Sequence, residues 1–499
     1  MTAPDVGRLA LSAPSPKPSQ RHVGLAEQWR DRSGGARLLG RTHGSLAISS
    51  PGIYGVLRAM LDILEAGAML ALSAKARDMV TLPQLEEVRD RFDVYRRLNG
   101  QVVGCGESPS ESRTPPRVKS FLLEHMRPTA KRPASDPARI LQGLELETRQ
   151  IDDTLLAVID TAGRLDDPHP TSPRVVGYLE TYDPRFFALY TTEKSADAQR
   201  MVSRWLDSPE LDHCWFNSHL LQTFWEKDVS TRGDRLYGKL VFQHESRFET
   251  PGADEEDDVT TSDAEEQDDD GESTSPERRR ARFTMGDRIG KIRRSLGKLQ
   301  ECYSPLHALC ALRFPSRKGH GGHDLHQNGR VTNWTHSFEE HRNLLRYLWR
   351  CYRDILDDTE EAAWQSGTES AKLSDRTSHG VPLIIRFHEK LSLDTFNRWV
   401  SLAFTKRNPF RLWGQPMRLG PTKVHVYGAD RHLWQPLNLE LTDKGLTAIL
   451  PEGTCGNTFH RLVTNIQHYV CPAIDVWLGN REFSSLAMLG KQKEREDGS

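Results

Sequence analysis

The sequence predicts an α+β protein of several domains, in which a helical N-terminal region is followed by mixed, mainly antiparallel sheet layers with helices. Three observations lead there. Apolar residues recur at helical spacing up to about residue 165, and the period shifts toward two from Arg174 onward. Turn signals such as Asn328-Gly329 and Asp443-Lys444-Gly445 then join short strands directly. Strands and helices alternate without the regular spacing of βαβ units, which argues against a doubly wound parallel sheet.

Residues 1–50, rich in Pro, Ser, Gly and Arg, show no sustained period and are expected to be disordered. A helical domain is expected over 51–165. Its helices would be Ile53–Ala76, one opened by Pro83 with Leu85, Val88, Phe92, Tyr95 and Leu98 on one face, and one from Asp136-Pro137 through Ile140, Leu141, Leu144, Ile151, Leu155 and Ile159. An α+β domain over 172–358 carries predicted strands at Val175–Leu179, Phe186–Tyr190, Leu236–Phe248, Ala281–Met285 and His307–Phe314, with helices near Ala196–Leu206, His219–Lys227 and Ile289–Leu299. After a polar linker, a C-terminal α+β module over 380–481 ends in a charged tail at 482–499.

The net charge of −2 conceals a segregation. Residues 254–272 hold twelve Asp/Glu and no Lys/Arg, which leaves 67 basic against 57 acidic residues elsewhere. The acidic run belongs to a segment, 251–278, lying between two predicted strands, so we read it as a disordered insertion within one sheet. The most apolar reach, Ile53 to Leu72, is broken by Arg58, Asp62 and Glu65, and no membrane segment is expected. Seven scattered cysteines without a C-x2-C pair fit a reduced cytoplasm.

Lys318 to Asp357 is the richest stretch. A two-residue turn at Asn328-Gly329 would pair Gln327 with Arg330, His326 with Val331, Asp324 with Asn333 and His323 with Trp334. Asp324 and His326 then share a face and, with His320, form a candidate metal site, although zinc asks for three or four convergent ligands. Ser337 and Glu340 make a capping box, from which a helix with Phe338, His341, Leu344, Leu345, Leu348, Tyr352, Ile355 and Leu356 on its buried stripe should run to about Asp357.

Arg-Phe occurs six times, more often than composition alone gives, and five copies fall on predicted strands or their ends. Neighbours on a strand face opposite ways, so a buried Phe puts its Arg outside. Arg185, Arg247, Arg282, Arg313 and Arg386 are therefore the candidate contacts to a nucleic acid or other polyanion.

The loop Gly453, Thr454, Cys455, Gly456, Asn457 enters a helix and is a candidate anion cradle, since a helix start offers free N–H groups. The helix start would also favour a thiolate at Cys455. Cys455 to Arg461 fits C-x5-R and resembles the loop of cysteine-dependent phosphatases, with Thr454 and Leu462 where that family has His and Ser/Thr. The resemblance implies a nucleophilic Cys455 and a phosphate-holding Arg461; the loop Tyr427–His432, with Asp430, would wall such a site.

The leading expectation is a non-enzymatic cytoplasmic component that binds nucleic acid through a basic sheet face and contacts proteins through its helical N-terminal region. A phosphoryl-transfer or hydrolytic enzyme centred on Cys455 and Arg461, or on a metal at Asp324 and His326, is the alternative, and a purely structural subunit the third. No cofactor is expected, with a divalent metal as the secondary reading.

Overall fold

A computed structural model describes residues 94, 95, 97, 98, 117–125, 137–160 and 174–485, less 145, 233–235, 249–278, 317–320, 336, 365–379 and 406–407. All belong to one unit that begins at Asp90. The expected disordered start, most of the expected helical domain, the acidic insertion and the charged tail beyond Ser485 lie outside the described residues.

Residues 94, 95, 97 and 98 are helical as expected, but from Glu147 onward the expected helical domain is corrected. The helix opened by Pro137, α1 (Pro137–Gly143), stops at its glycine, and the chain continues as the hairpin β2 (Glu147–Asp152) and β3 (Leu155–Asp160). Ile151, Leu155 and Ile159 satisfy a helical spacing, yet the run Leu155–Asp160 is short, apolar and β-branched. A turn competes for it: Asp152 Oδ1 accepts the Thr154 N–H at 2.8 Å, the side-chain-to-backbone bond that favours a turn over a helix. The described architecture is two antiparallel sheets with helices, and no helical N-terminal region is supported.

The first sheet has eleven strands. At its centre lies β1 (Lys119–His125), whose run Phe121-Leu122-Leu123 is buried on both faces and so lacks the alternation that announces a strand. On one side β1 pairs with β5 (Phe186–Thr191), which leads through β4 (Arg174–Thr181) to β3 and β2. On the other it pairs with β11 (Arg330–Asn333), then β10 (Gly322–His326), β9 (Leu309–Pro315), β7 (Tyr237–Ser246) and the edge strand β8 (Arg279–Arg288). The short β6 (Leu211–His213) also pairs with β1.

Helices cover this sheet unequally. One face is packed by α3 (Ser218–Arg232) and α5 (Phe338–Trp364), with Phe186, Tyr190, Phe216, Leu220 and Leu345 in the main core. On the opposite face α1 and α2 (Ser195–Trp205) pack near β1, β4 and β5, around Phe121, Phe187, Leu189 and Trp205. The helix α4 (Ile289–Cys302) continues directly from β8.

The predicted capping box is half used. Glu340 N–H donates to Ser337 Oγ at 3.2 Å, but the Glu340 carboxylate accepts from Ser316 Oγ at 2.9 Å instead of reaching back. α5 also runs about two turns beyond the expected Asp357, because Thr359, Glu360 and Ala363 continue its buried stripe.

The second sheet has seven strands: β13 (Leu412–Gly420), β14 (Lys423–Asp430), β15 (Gln435–Thr442), β16 (Gly445–Ile449), β12 (Leu383–Phe387), β17 (Ile474–Leu478) and β18 (Arg481–Glu482), in that spatial order. Its core includes Trp399 and Phe396 of α6 (Leu393–Leu402) and Phe459, Leu462, Val463 and Ile466 of α7 (Asn457–Tyr469). α7 is buried on every side although His460, Arg461, Thr464, Asn465, Gln467 and His468 are polar. Such a helix survives only with its polar groups satisfied. Two of those bonds reach the first sheet, where His468 Nδ1 meets Gln243 O at 3.1 Å and His244 Nδ1 meets Gln467 O at 3.0 Å.

The register of the β10–β11 hairpin differs from expectation by one residue: His323 pairs with Asn333, Asp324 with Thr332 and Leu325 with Val331. The loop holds three residues, Gln327 to Gly329, closed by Gly329 N–H to His326 O at 3.0 Å with Gly329 at φ 71°. A three-residue loop ending in a left-handed glycine is the other common way for Asn-Gly to close a hairpin. A Cβ at Gly329 would meet Cys214 O at 2.8 Å and Leu122 O at 3.0 Å. Gly329→Ala should therefore cost roughly 2–3 kcal/mol, from left-handed strain plus displacement of these carbonyls, as read by urea unfolding. A loss under about 0.5 kcal/mol would show that the turn does not fix this register.

Candidate functional site

The residues singled out by sequence fall into three places. Cys455, Arg461 and Asp430 meet in a buried ionic network between the sheets. The first sheet contributes Glu124 of β1 and Asp212 of β6, which are cross-strand neighbours and therefore face the same way. Asp430 ends β14, Glu360 sits on the buried stripe of α5, and Arg461 projects from the second turn of α7.

Arg461 is fully buried and its guanidinium pairs with both Asp212 and Asp430, while Nε donates to Phe410 O at 3.0 Å. Arg411 adds a second cation to Asp212 at 3.2 Å. Burial alone would raise the Asp212 carboxyl, but Arg461 and Arg411 overcome it and hold that group well below the usual carboxylate range. Arg185 occupies the other end of the network. It donates through Nε to Glu124 Oε1 at 2.8 Å and through Nη2 to Glu360 Oε1 at 2.5 Å, and its Nη2 lies 3.5 Å from Cys455 Sγ.

This geometry bears directly on the expected anion loop. Its anion is already supplied by the chain: Gly456 N–H donates to Glu360 Oε1 at 2.9 Å, and Cys455 N–H to Gln435 Oε1 at 2.6 Å. Thr454 Oγ1 turns back to Pro451 O at 2.7 Å, Asn457 Nδ2 holds His213 O at 2.8 Å, and Gly453 stays exposed at φ 82°. The thiol is corrected likewise. Burial and the neighbouring Glu124 charge push Cys455 well above its ordinary pKa, against the partial help of Arg185, so the helix start does not yield a thiolate. With Arg461 saturated by two carboxylates, the pair lacks the open phosphate-holding arginine that C-x5-R implies.

The described residues expected to hold a metal have other partners. Arg313 clasps Asp324 with two parallel bonds, Nε to Oδ1 at 2.5 Å and Nη2 to Oδ2 at 2.7 Å. His326 lies against Arg330 Nη2 at 3.1 Å, and burial, Arg330, Arg282 and Lys239 hold its pKa well below the usual value. A divalent cation there would face Arg313, Arg330, Arg282 and Lys239. His320 lies outside the described residues.

The five arginines do not form one face. Arg185 is in the buried network, Arg247 stacks its guanidinium 5.6 Å from the Tyr469 ring centroid, and Arg386 is exposed on β12 of the second sheet. Arg282 and Arg313 do share a face of the first sheet. One cross-strand rung runs Lys239, Arg313, Asp324, Thr332, Lys119, and Arg282 and Arg280 stand two and three rungs along on β8 beyond Thr284. Arg117 and Arg313 both lie over Trp334, at 3.7 and 4.9 Å from its centroid. With Arg330, this half-face carries Arg117, Lys119, Lys239, Arg280, Arg282, Arg313 and Arg330 against Asp324 and Glu245. It continues into the β8–α4 edge: from Arg280 to Lys298 there are seven basic residues and one acid, Asp287, with Lys291, Arg293, Arg294 and Lys298 exposed on α4.

The fold and its surfaces thus define a protein of two antiparallel sheets with a buried charged seam and a basic half-face. A family model described as MJECL33-like protein matches residues 84–484, and the chain belongs to that family. Among curated proteins it is similar to Uncharacterized protein MJECL33 of Methanocaldococcus jannaschii, 24% identical over 306 residues, which cover 58% of this chain and 73% of that protein. No solved structure matches. Among the described residues no helix is long and apolar enough to cross a membrane.

Two measurements check the seam. Arg461→Ala should destabilise the fold by about 3–5 kcal/mol in urea, because Asp212 and Asp430 are left buried and uncompensated; a loss below about 1 kcal/mol would mean that water reaches them. In pH, burial depresses His460 and His468 to about 3, and both stay neutral in the fold while the unfolded chain protonates them near 6.5. The unfolded state then binds more protons between about pH 3 and 6.5, so stability should rise with pH across that window, by up to about 1.4 kcal/mol per unit for each histidine. A flat denaturation midpoint from pH 5 to 6.5 would contradict this burial.

Proposed function

We propose that the protein is a nucleic-acid-binding component that grips the phosphate backbone with the basic half-face of the first sheet and its β8–α4 edge. The observation that carries this reading is the run from Arg280 to Lys298, seven cations against one acid, on an edge strand and the exposed side of the following helix. An edge strand and a helix flank make a ridge, and a row of guanidinium and ammonium groups along a ridge can track a polyanion. Asp324 aligns Arg313 by its two-point grip, and Trp334 backs Arg117 and Arg313, so part of the surface is held in place before any ligand arrives. A cytoplasmic setting, where nucleic acid is abundant, is part of the same proposal.

β7 and β8 pair along their full length, from Tyr237↔Arg288 to Ser246↔Arg279, so the twelve acids of 254–272 are tethered between the two adjacent strand ends beside the arginines. A tether of that length gives an effective concentration that reaches the millimolar range, enough to screen weak polyanion binding.

Fluorescence anisotropy with labelled duplex and single-stranded oligonucleotides across a salt series tests both statements. Arg282→Ala, Arg293→Ala and Arg294→Ala together should weaken binding to every sequence alike and lower the log–log salt slope by roughly 0.9 per lost phosphate contact on duplex. Deleting 252–274 should tighten binding at low salt and steepen the salt dependence. An intact chain whose affinity ignores the triple substitution would place the interface elsewhere, and unchanged affinity after the deletion would leave the acidic segment a plain connection.

A further inference from the structure

Behind the Arg185 end of the seam, three groups of different chemistry converge from three parts of the fold. Glu124 comes from the central strand β1, His432 from the turn between β14 and β15, and Cys455 from the loop before α7. One potential ligand atom from each lies within 4.8 Å of the other two, and all three residues are buried. Cys455 Sγ is 3.0 Å from Glu124 Oε1.

Two of the three present a buried polar atom with no protein partner. Glu124 Oε2 makes no hydrogen bond, and neither does His432 Nε2. The histidine's tautomer follows from its other nitrogen. Nδ1 lies 3.0 Å from Pro209 O, a carbonyl that can only accept, so Nδ1 carries the hydrogen and Nε2 keeps its lone pair. A backbone carbonyl fixing Nδ1–H so that Nε2 is basic is the arrangement found behind most metal-binding histidines. The turn is held as well, since His432 N–H donates to Asp430 Oδ1 at 2.9 Å.

The charge of the seam points the same way. Its buried acids are Glu124, Glu360, Asp212 and Asp430, and its guanidinium groups are Arg185, Arg411 and Arg461, so with Glu124 ionised there is an excess of one negative charge, and burial, helped by Glu360, raises the Glu124 carboxyl to about 7 against the pull of Arg185. A divalent ion that binds Cys455 as a thiolate brings two positive charges and one new negative charge, which cancels the excess. The thiol proton leaves to solvent as the metal–sulfur bond forms, so the step balances without an oxidant or reductant.

We propose that Glu124, His432 and Cys455 form a zinc site that staples β1 of the first sheet to the β14–β15 turn and the α7 loop of the second. A thiolate, an imidazole and a carboxylate suit Zn²⁺ over harder divalent ions, and three protein ligands leave a fourth tetrahedral position for a water molecule. Arg185 Nη2 donates to the sulfur and to Glu124. Zinc bonds of ~2.0–2.3 Å put tetrahedral ligand atoms roughly 3.5 Å apart, so the His432 atom needs to approach by up to about 1 Å, whereas Cys455 Sγ and Glu124 Oε1 already stand at 3.0 Å.

The test uses the full chain without an affinity tag. Elemental analysis of protein purified without chelators should give about one zinc per chain. After removal of the metal by a chelator, Co²⁺ should restore visible bands of a tetrahedral ion and a near-ultraviolet thiolate-to-cobalt band. Cys455→Ser should abolish the thiolate band, and His432→Gln should weaken cobalt binding by at least roughly tenfold, whereas Cys302→Ser, at an exposed thiol, should change neither. Because substitutions in the seam can impair folding, the wild-type chain supplies an independent readout: chelation should lower its thermal midpoint and zinc should restore it. Wild-type protein that takes up no zinc or cobalt, or a thiolate band that persists in Cys455→Ser, overturns the proposal and leaves Glu124 and Cys455 sharing only a proton.

Discussion

The contact on which the rest of the structure depends is the buried guanidinium of Arg461, held between Asp212 of the first sheet and Asp430 of the second. Burying any of these charges alone costs several kcal/mol, and their mutual attraction offsets that cost only with good geometry. The two sheets therefore cannot slide against one another without exposing a charge to a low-dielectric interior. α7 follows from the same constraint. A helix with His460, Arg461, Asn465, Gln467 and His468 buried at once is stable only where both sheets supply partners, as Gln243 O and His244 do from β7.

Much of the fold was readable where one face of an element meets water. The stripe of α5 was visible because polar residues mark its outer side, and β5, though buried on both faces, was legible as an aromatic-rich apolar run longer than that of β1. β1 was not, because Phe121, Leu122 and Leu123 are buried on both faces and carry no alternation. β2 and β3 were mistaken for a helix because a short apolar run fits either period and the Asp152 turn decides between them. The hairpin at Asn328-Gly329 was visible as a turn but not in its register, since the same dipeptide closes two- and three-residue loops.

The site was legible in its residue types and not in its partners. Cys455, Arg461 and Asp430 do come together, but their environment is set by Glu124, Asp212, Arg185 and Glu360, which are distant in sequence. Two of these left a trace: Glu124 directly follows the apolar run Phe121-Leu122-Leu123, and Glu360 continues the buried stripe of a helix that seemed complete at Asp357. A charge on an apolar stripe asks for a partner, yet one chain does not say whether that partner is a ligand or another part of the protein. Here the helix start that resembled an anion cradle holds Glu360, and the arginine expected on an outer face at Arg185 points inward. Arg282 differs in that it stays exposed on the edge strand of the sheet.

The position of β1 has a consequence for how the polypeptide matures. Its partners Arg330, Val331 and Thr332 lie some two hundred residues downstream of Phe121, Ser120 and Lys119, and the seam closes only when Asp430 and Arg461 have also been made. During synthesis β6 can cover Leu123–His125, but the Lys119–Phe121 stretch of the β1 edge waits unpaired for β11, so the nascent chain is open there to strand addition by neighbours until late in translation. Chaperone occupancy of the emerging chain should therefore persist until the β10–β11 hairpin has left the ribosome, and synonymous changes in decoding speed upstream of it would alter the yield of folded protein without changing a residue.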